Sequence, residues 1–155
     1  MPGMDLQSIT QTETTAAGPV RVVYQEEVAA LHFDWGDIRM LCDGVHTGAR
    51  QLSFGIVESK PGGSHALHCH PAAEEVIYVL CGDGELLTSG RPPLPITSGA
   101  MIFIPPGCLH ATLNTGKDFM RVIIVYAPPG PERELPLLQG CSVVAPRPAH
   151  TGAAS

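Results

Sequence analysis

The sequence predicts an all-β protein with one domain of antiparallel strands. Eight short runs rich in β-branched and aromatic residues recur at roughly ten-residue spacing, and turn residues separate them. The 17 glycines and 15 prolines among 155 residues interrupt the chain so often that long helices are not expected. One stretch, EEVAALHF at 26–33, is long enough for a helical turn or two. Strands at this spacing are typical of a closed or rolled antiparallel architecture.

The predicted strands follow in chain order as VRVVY (20–24), DIRMLC (37–42), QLSFGIV (51–57), EVIYVL (75–80), ELLTSG (85–90), MIFIP (101–105), LHATLN (109–114) and MRVIIVY (120–126). Residues 51–56 alternate strictly along the chain, as expected for a half-buried strand. CGDGE at 81–85 predicts a hairpin turn because Asp-Gly suits the tightest turns.

The domain limits follow from composition. Residues 1–19 are rich in Thr, Gln, Ala and Gly and are predicted to be a flexible N-terminal arm. The barrel domain is expected over 20–135, and residues 136–155 are expected to form an irregular C-terminal tail.

Charge and cysteine content exclude several partners. Nine Lys and Arg stand against fifteen Asp and Glu, a net charge of −6, so neither nucleic acid nor an anionic membrane is an expected partner. The longest apolar run, VIIVYA at 122–127, is too short to cross a bilayer. Five cysteines are an odd number, and MPGMDLQSIT carries no secretory pattern. We therefore expect free thiols in a cytoplasmic protein.

A cluster of potential metal ligands lies in the middle of the chain. His68 and His70 are two residues apart, so on a strand they point the same way, and His110 follows a Pro-Gly turn. Glu74 and Glu75 are both candidates for a nearby carboxylate. Three imidazoles and one carboxylate favour a divalent transition metal (Fe, Mn, Ni or Zn) over Ca²⁺ or Mg²⁺.

Two segments resemble the paired motifs of the cupin superfamily. GGSHALHCHPAAEEVIYVLCG is similar to the first, G(X)5HXH(X)3-4E(X)6G, and GAMIFIPPGCLHATLN to the second, G(X)5PXG(X)2H(X)3N. The matching positions are Gly62, His68, His70, Gly82, Gly99, Pro105, Gly107, His110 and Asn114. The resemblance implies a single cupin-type antiparallel β-barrel, or jelly roll, with a metal held by His68, His70, Glu75 and His110. Glu75 is preferred to Glu74 because six residues separate it from Gly82.

The resemblance also implies a function. We expect a metalloenzyme that acts on a small organic molecule by oxygenase, decarboxylase, isomerase or lyase chemistry, with Glu75 as a candidate base. The alternative is a cupin that binds or senses a small molecule without turnover. Strand parity places Ile77, Val79 and Thr112 in a weakly polar pocket. Cupin lyases of dimethylsulfoniopropionate carry Tyr two residues after the metal Glu, and Ile77 at that position argues against this activity.

Three further expectations concern the surroundings of the site. His65 is out of phase with His68 and is expected beside the ligands or on the surface. Cys108 is a candidate pocket thiol, because the turn before His110 makes its direction hard to assign. A homodimer is implied by the resemblance, with the N-terminal arm and the strands of 20–42 as candidate interface.

Overall fold

The structure is a computed structural model that describes residues 18–147. Most of the predicted arm (1–17) and the end of the predicted tail (148–155) lie outside the described residues. Ten strands are present in the described part of the chain. They are β1 Ala30–Phe33, β2 Gly36–Cys42, β3 Ser53–Ser59, β4 Glu74–Cys81, β5 Asp83–Thr88, β6 Leu94–Thr97, β7 Met101–Ile104, β8 His110–Asn114, β9 Met120–Ala127 and β10 Ser142–Val144. Short 3₁₀ turns occupy Gln25–Glu27, Pro131–Arg133 and Leu135–Leu137.

The strands form two sheets. The larger has the order β10-β1-β2-β3-β9-β4-β7, and the smaller has the order β6-β5-β8. Every strand pairing is antiparallel. Side chains of both sheets meet in one hydrophobic core, so the sheets face each other, although they do not close into one hydrogen-bonded barrel. The all-β antiparallel jelly-roll prediction is confirmed.

Alternating burial explains why the central strands form where they do. β3 and β9 alternate between buried and half-buried residues along their whole length. Their inward side chains, such as Val57, Val122 and Ile124, are less than a tenth exposed. Burial of each such side chain contributes about 1.5–3 kcal/mol, which outweighs weak local propensity in such short strands.

Four local predictions were wrong. VRVVY at 20–24 forms no strand, and EEVAALHF gives only the turn at Gln25–Glu27 before β1 begins. β6 was missed because LPIT contains a proline, and its single buried residue is Ile96. The tail expected to be irregular from 136 contains β10, which pairs with β1. These short edge elements depend on a neighbouring strand rather than on their own sequence.

The predicted hairpin at CGDGE is a crossover between the two sheets. β4 pairs with β7 and β9, whereas β5 pairs with β6 and β8. Gly82 joins them at a φ of +94°, and a Cβ there would lie 2.7 Å from Met120 Cα. This glycine is therefore required by both its backbone conformation and the close approach of β9. The Asp-Gly pair does not form a hairpin turn here, because β4 and β5 lie in different sheets.

Asn114, the last residue of β8, joins three chain segments. Its side chain is fully buried, and its amide nitrogen donates to Ser59 O and to Asp118 O, both at 2.8 Å. Its amide oxygen accepts from Gly116 N at 2.9 Å. The asparagine of the second motif is therefore a structural residue that fixes the end of the strand beginning at His110.

We expect Asn114→Ala to lower the free energy of unfolding by about 2–4 kcal/mol, because it leaves buried backbone groups without partners. Urea denaturation of the metal-free protein measures this loss. The exposed Lys117→Ala variant is the control and should stay within about 0.5 kcal/mol of wild type. Equal stability of the two variants would show that Asn114 does not hold the strand end.

Candidate metal centre

The segment carrying His68 and His70 is positioned by main-chain pairing with the segment carrying His110. His68 and His110 form an isolated antiparallel bridge with hydrogen bonds of 3.1 Å (His68 N to His110 O) and 2.8 Å (His110 N to His68 O). Residues 65–70 are not a regular strand, so the strand geometry used to predict their convergence was wrong. The two histidines converge because this bridge brings their segment onto the start of β8.

The turn between β7 and β8 completes this arrangement. Gly107 has a φ of +76°, a left-handed conformation that glycine adopts without strain. Its N–H donates to His70 O at 3.0 Å, which ties the turn of the second motif to the last histidine of the first. The Pro-Gly turn thus fixes His70 and His110 close to each other.

Glu75 and its neighbour Glu74 face opposite sides of β4. Glu75 is 3% exposed, whereas Glu74 is exposed to solvent. Glu75 lies opposite Ile104 of β7 and Tyr126 of β9, on the second-to-last strand of the larger sheet. The inward carboxylate is therefore the one that the six-residue spacing to Gly82 selects.

Four side chains form one compact donor set. The potential ligand atoms of His68, His70, Glu75 and His110 all lie within 4.8 Å of one another. Glu75 Oε2 is 2.8 Å from His110 Nε2 and 3.2 Å from His70 Nε2. Among the described residues, this is the one group of three or more His, Cys, Asp or Glu side chains with metal-ligand proximity.

The orientation of the imidazoles fits a metal ion. His68 Nδ1 is 2.8 Å from Ala66 O, and His110 Nδ1 is 2.9 Å from Cys108 O. Each Nδ1 therefore donates to a carbonyl, which leaves the Nε2 lone pair available for coordination. His70 Nε2 is buried, and although Glu75 Oε2 lies 3.2 Å away, the two atoms are not aligned for a hydrogen bond. A buried nitrogen without a partner is costly unless a further group binds it, and a metal ion is such a group.

Burial and neighbouring charges set the protonation of the metal-free cluster. Burial lowers the pKa of His68 to about 4, so this imidazole is neutral at pH 7. Burial opposes a charge on both Glu75 and His110, but their mutual hydrogen bond lowers the pKa of Glu75 and raises that of His110. The free cluster therefore favours a carboxylate–imidazolium pair, and a bound metal would replace the His110 proton.

A small cavity of about 40 Å³ adjoins the cluster. Polar and apolar groups share its wall about equally, and no Lys or Arg of the described chain lines it. The lining residues are Trp35, Ile38, Val57, His65, His68, Glu75, Ile77, His110, Thr112, Val122, Ile124, Tyr126 and Leu135. Of the three predicted pocket residues, Ile77 and Thr112 line the cavity, whereas Val79 is fully buried in the core away from it.

The other two residues singled out near the site have different positions. His65 lines the cavity, with its ring centroid 4.2 Å from that of His68, but its donor atoms do not belong to the ligand cluster. Cys108 packs against the core outside the cavity lining, and its carbonyl orients His110. The cysteine thus acts through its main chain and not as a pocket thiol.

Sequence reasoning missed two aromatic side chains in the cavity. Tyr126 is 3% exposed, and its ring centroid is 4.8 Å from that of His70. Its parity with Val122 and Ile124 on β9 could have indicated that it faces inward. Trp35 lies in the tight connection between β1 and β2, with its ring 5.4 Å from that of His65. No sequence pattern places this tryptophan in the cavity, because a turn has no fixed parity.

Two global expectations concern thiols and membranes. All five cysteines are free, and all of them lie within the described residues. No helix in residues 18–147 has the length and apolar character required to span a membrane.

Comparison with known proteins matches this chain to one family model and to bacterial proteins of known sequence. The family model for the cupin domain matches residues 55–126. The protein SchB of Streptomyces halstedii is 30% identical over 115 residues, covering 74% of this chain and 83% of SchB. The dimethylsulfoniopropionate lyase DddQ of Ruegeria pomeroyi is 32% identical over 117 residues, covering 70% of this chain. That match spans 56% of DddQ, little more than half its length.

A solved structure agrees in fold. The polyketide cyclase RemF from Streptomyces resistomycificus superposes with a TM-score of 0.62 at 24% identity, covering 85% of this chain and 89% of RemF. Both cupin motifs lie on the strands and turns that build the donor cluster. The chain belongs to the cupin superfamily.

Proposed function

We propose that this protein is a metalloenzyme that moves a proton on a small carbonyl compound, with isomerisation or elimination as the outcome. The proposal rests on which titratable side chains line the cavity. Besides the three ligands His68, Glu75 and His110, the only titratable side chains that line it within the described chain are His65 and Tyr126. An imidazole and a phenol are a base and an acid of the kind that proton transfer needs.

The donor set suits a divalent transition metal ion held by His68, His70, Glu75 and His110. When bound, such an ion supplies Lewis-acid polarisation of an oxygen-bearing substrate.

The chain's own groups then perform the proton transfers. His65 accepts the proton from the carbon next to the carbonyl, and Tyr126 donates its hydroxyl proton to the carbonyl oxygen. In isomerisation, the two protons return to the substrate, on the original or the neighbouring carbon, and both side chains are regenerated. In elimination, the C–H electron pair forms the new double bond as the leaving group departs from the next carbon with its bonding pair; Tyr126 recovers its proton from the carbonyl oxygen, and His65 releases its proton to the leaving group or to water. No oxidant or second reactant is needed, and the apolar wall formed by Ile77 and Val122 excludes bulk water.

Size and charge limit the substrate. A cavity of about 40 Å³ is far below the 300–1,000 Å³ of drug-sized sites, so the reacting part of the substrate has only a few heavy atoms. Since the lining contributes no Lys or Arg, a doubly charged anion would have no cationic side chain to bind. A neutral or singly charged carbonyl compound fits better than a dicarboxylate.

The relatives support this class of substrate without fixing it. Dimethylsulfoniopropionate and polyketides, named for DddQ and RemF, both carry carbonyl or carboxylate oxygen. The sequence argument against a lyase depended on Ile77 in place of tyrosine. Tyr126 brings a phenol to the same cavity from β9, directly opposite Glu75, so elimination belongs to the proposed chemistry.

The test is deuterium incorporation from D₂O, followed by NMR, into a panel of small ketones, 2-oxo acids and dimethylsulfoniopropionate. Protein loaded with Fe²⁺, Mn²⁺, Ni²⁺ or Zn²⁺ should catalyse exchange or product formation with at least one compound. Tyr126→Phe and His65→Gln should each lower kcat by about 10²–10⁴ with unchanged metal content. The matched control is Tyr78→Phe, since Tyr78 lies on the outward side of β4 and should keep full activity.

Full activity of both Tyr126→Phe and His65→Gln would refute the assigned acid and base. Turnover that consumes O₂ in proportion to substrate would show an oxygenase instead. Saturable binding of a panel member without exchange or product would favour the alternative of a non-catalytic binding cupin.

A further inference from the structure

The segment that follows β9 contributes one side chain to the cavity beside the metal centre. This segment, residues 128–138, contains four prolines and two short 3₁₀ turns, and we call it the strap. Its Leu135 is only 4% exposed and belongs to the cavity lining. The rest of the lining comes from the strands, from the connection between β1 and β2, and from the irregular segment between β3 and β4. Leu135 is therefore the only part of the strap that a molecule in the cavity would contact.

A buried carboxylate fixes the position of the strap. Glu132 is 7% exposed, and its Oε2 accepts hydrogen bonds from Ser53 Oγ at 2.9 Å and from Gly130 N at 2.7 Å. Ser53 is fully buried at the start of β3 and pairs in register with Tyr126 of β9. Within residues 18–147, the hydrogen bond from Ser53 to Glu132 is the only one that joins the strap to a strand. Because a buried carboxylate is costly without such donors, this bond holds the strap beside the cavity.

Consecutive residues of the strap face different spaces. Glu134 lines a surface pocket of about 340 Å³ that also contacts His70. Pro136 lines a second surface pocket of about 460 Å³. Leu135, between them in the chain, borders instead the inner cavity of about 40 Å³. The Leu135 side chain therefore lies between the small inner cavity and the larger pockets at the surface.

Leu135 differs from the other apolar wall residues in its backbone. Ile77 and Val122 lie on β4 and β9, and each of these strands pairs with a neighbour on both sides. The strap is not part of either sheet in the described chain, so a smaller or larger side chain at position 135 changes the cavity without disturbing a strand pairing. The leucine side chain has no hydrogen-bonding group. Its effect on a bound molecule is therefore an effect of shape.

We infer that Leu135 is a specificity-determining residue, which limits the cavity to carbonyl compounds with a short carbon chain. The inference rests on the proposed function, since it concerns the same cavity and the same class of substrate. The part of the substrate beyond the carbonyl group meets Leu135, and a longer chain would overlap with its side chain. A difference of one methylene in a fitted apolar pocket changes discrimination by about 10–200-fold. A few carbon atoms thus decide between binding and exclusion.

Binding of straight-chain 2-oxo acids tests the inference separately from catalysis. The Zn²⁺-loaded protein is titrated with pyruvate, 2-oxobutanoate, 2-oxohexanoate and 2-oxooctanoate, by calorimetry and by NMR of the indole N–H of Trp35. Trp35 is the only tryptophan of the chain and lines the cavity, so its signal reports a ligand at this position. Wild type should bind the two short acids at least about 10-fold more tightly than the two long ones. Leu135→Ala should bind the long acids at least about 10-fold more tightly than wild type does.

Leu137→Ala is the matched control. It removes the same atoms from the same strap, but Leu137 is 83% exposed, so the preference for short acids should equal that of wild type. Leu135→Val and Leu135→Phe should shift the preference in opposite directions, towards longer and towards shorter acids. These two variants keep the test decisive if Leu135→Ala does not fold. Circular dichroism and metal content verify the fold of each variant.

The outcomes separate this inference from the proposed function. An unchanged chain-length preference in the Leu135 variants, an equal change in Leu137→Ala, or a wild type that binds none of the four acids would overturn the inference, whatever the exchange assay shows. A shifted preference without deuterium exchange into any compound would uphold Leu135 as the determinant of binding and would refute the proposed catalysis.

Discussion

Replacing His110 with alanine is expected to abolish stoichiometric binding of a divalent transition metal. His110 is 1% exposed, and its Nε2 is 2.8 Å from Glu75 Oε2 at the centre of the donor set. A four-ligand structural Zn²⁺ site binds with about 10–16 kcal/mol, so the loss of one ligand should reduce affinity by about 10²–10³. Metal analysis after dialysis, on protein purified without a histidine tag, measures the loss. His68→Ala and His70→Ala should behave in the same way.

His65→Ala is the matched control for the three ligand variants. Its ring contacts that of His68 and lines the same cavity, but its donor atoms are outside the cluster. We expect this variant to retain full metal content while it loses activity in the exchange assay. Full metal occupancy in His110→Ala, or metal loss in His65→Ala equal to that of the ligand variants, would show that the donor set is wrong.

Adjacent glutamates should respond very differently to the same substitution. Glu75→Gln removes the only anionic donor from a buried set of neutral imidazoles, so affinity for a divalent ion should fall by orders of magnitude. Glu74→Gln changes an exposed charge on the opposite side of β4 and should stay within about 0.5 kcal/mol of wild type in stability. Titration of both variants with Mn²⁺ or Zn²⁺ gives the comparison.

Two results would contradict this asymmetry. Equal loss of affinity in both variants would mean that the two carboxylates serve the site together. A larger loss in Glu74→Gln would mean that the register of β4 is shifted by one residue. Ile77 would then point away from the cavity, because a shift of one residue reverses every side chain on a strand.

The sequence predicted the central strands because their burial is strongly periodic. β2, β3, β4, β7, β8 and β9 all lie within three residues of their expected limits. β1, β6 and β10 were not predicted: each has four or fewer residues and, unlike the equally short β7 with Met-Ile-Phe-Ile, none is apolar along its whole length. Such strands gain their stability from the partner strand and not from a pattern of their own.

The sequence alone predicted the four candidate ligands, because both motifs prescribe residue type and spacing, and the gap to Gly82 distinguishes Glu75 from Glu74. Only the tertiary structure decided how these ligands meet. The His68–His110 bridge, and not the geometry of one strand, places His68 and His70 beside Glu75. The remaining cavity wall, including Tyr126, Trp35 and His65, comes from a distant strand, a turn and an irregular segment. Strand parity says which side a residue faces, but only the pairing of distant strands decides which side chains share a cavity.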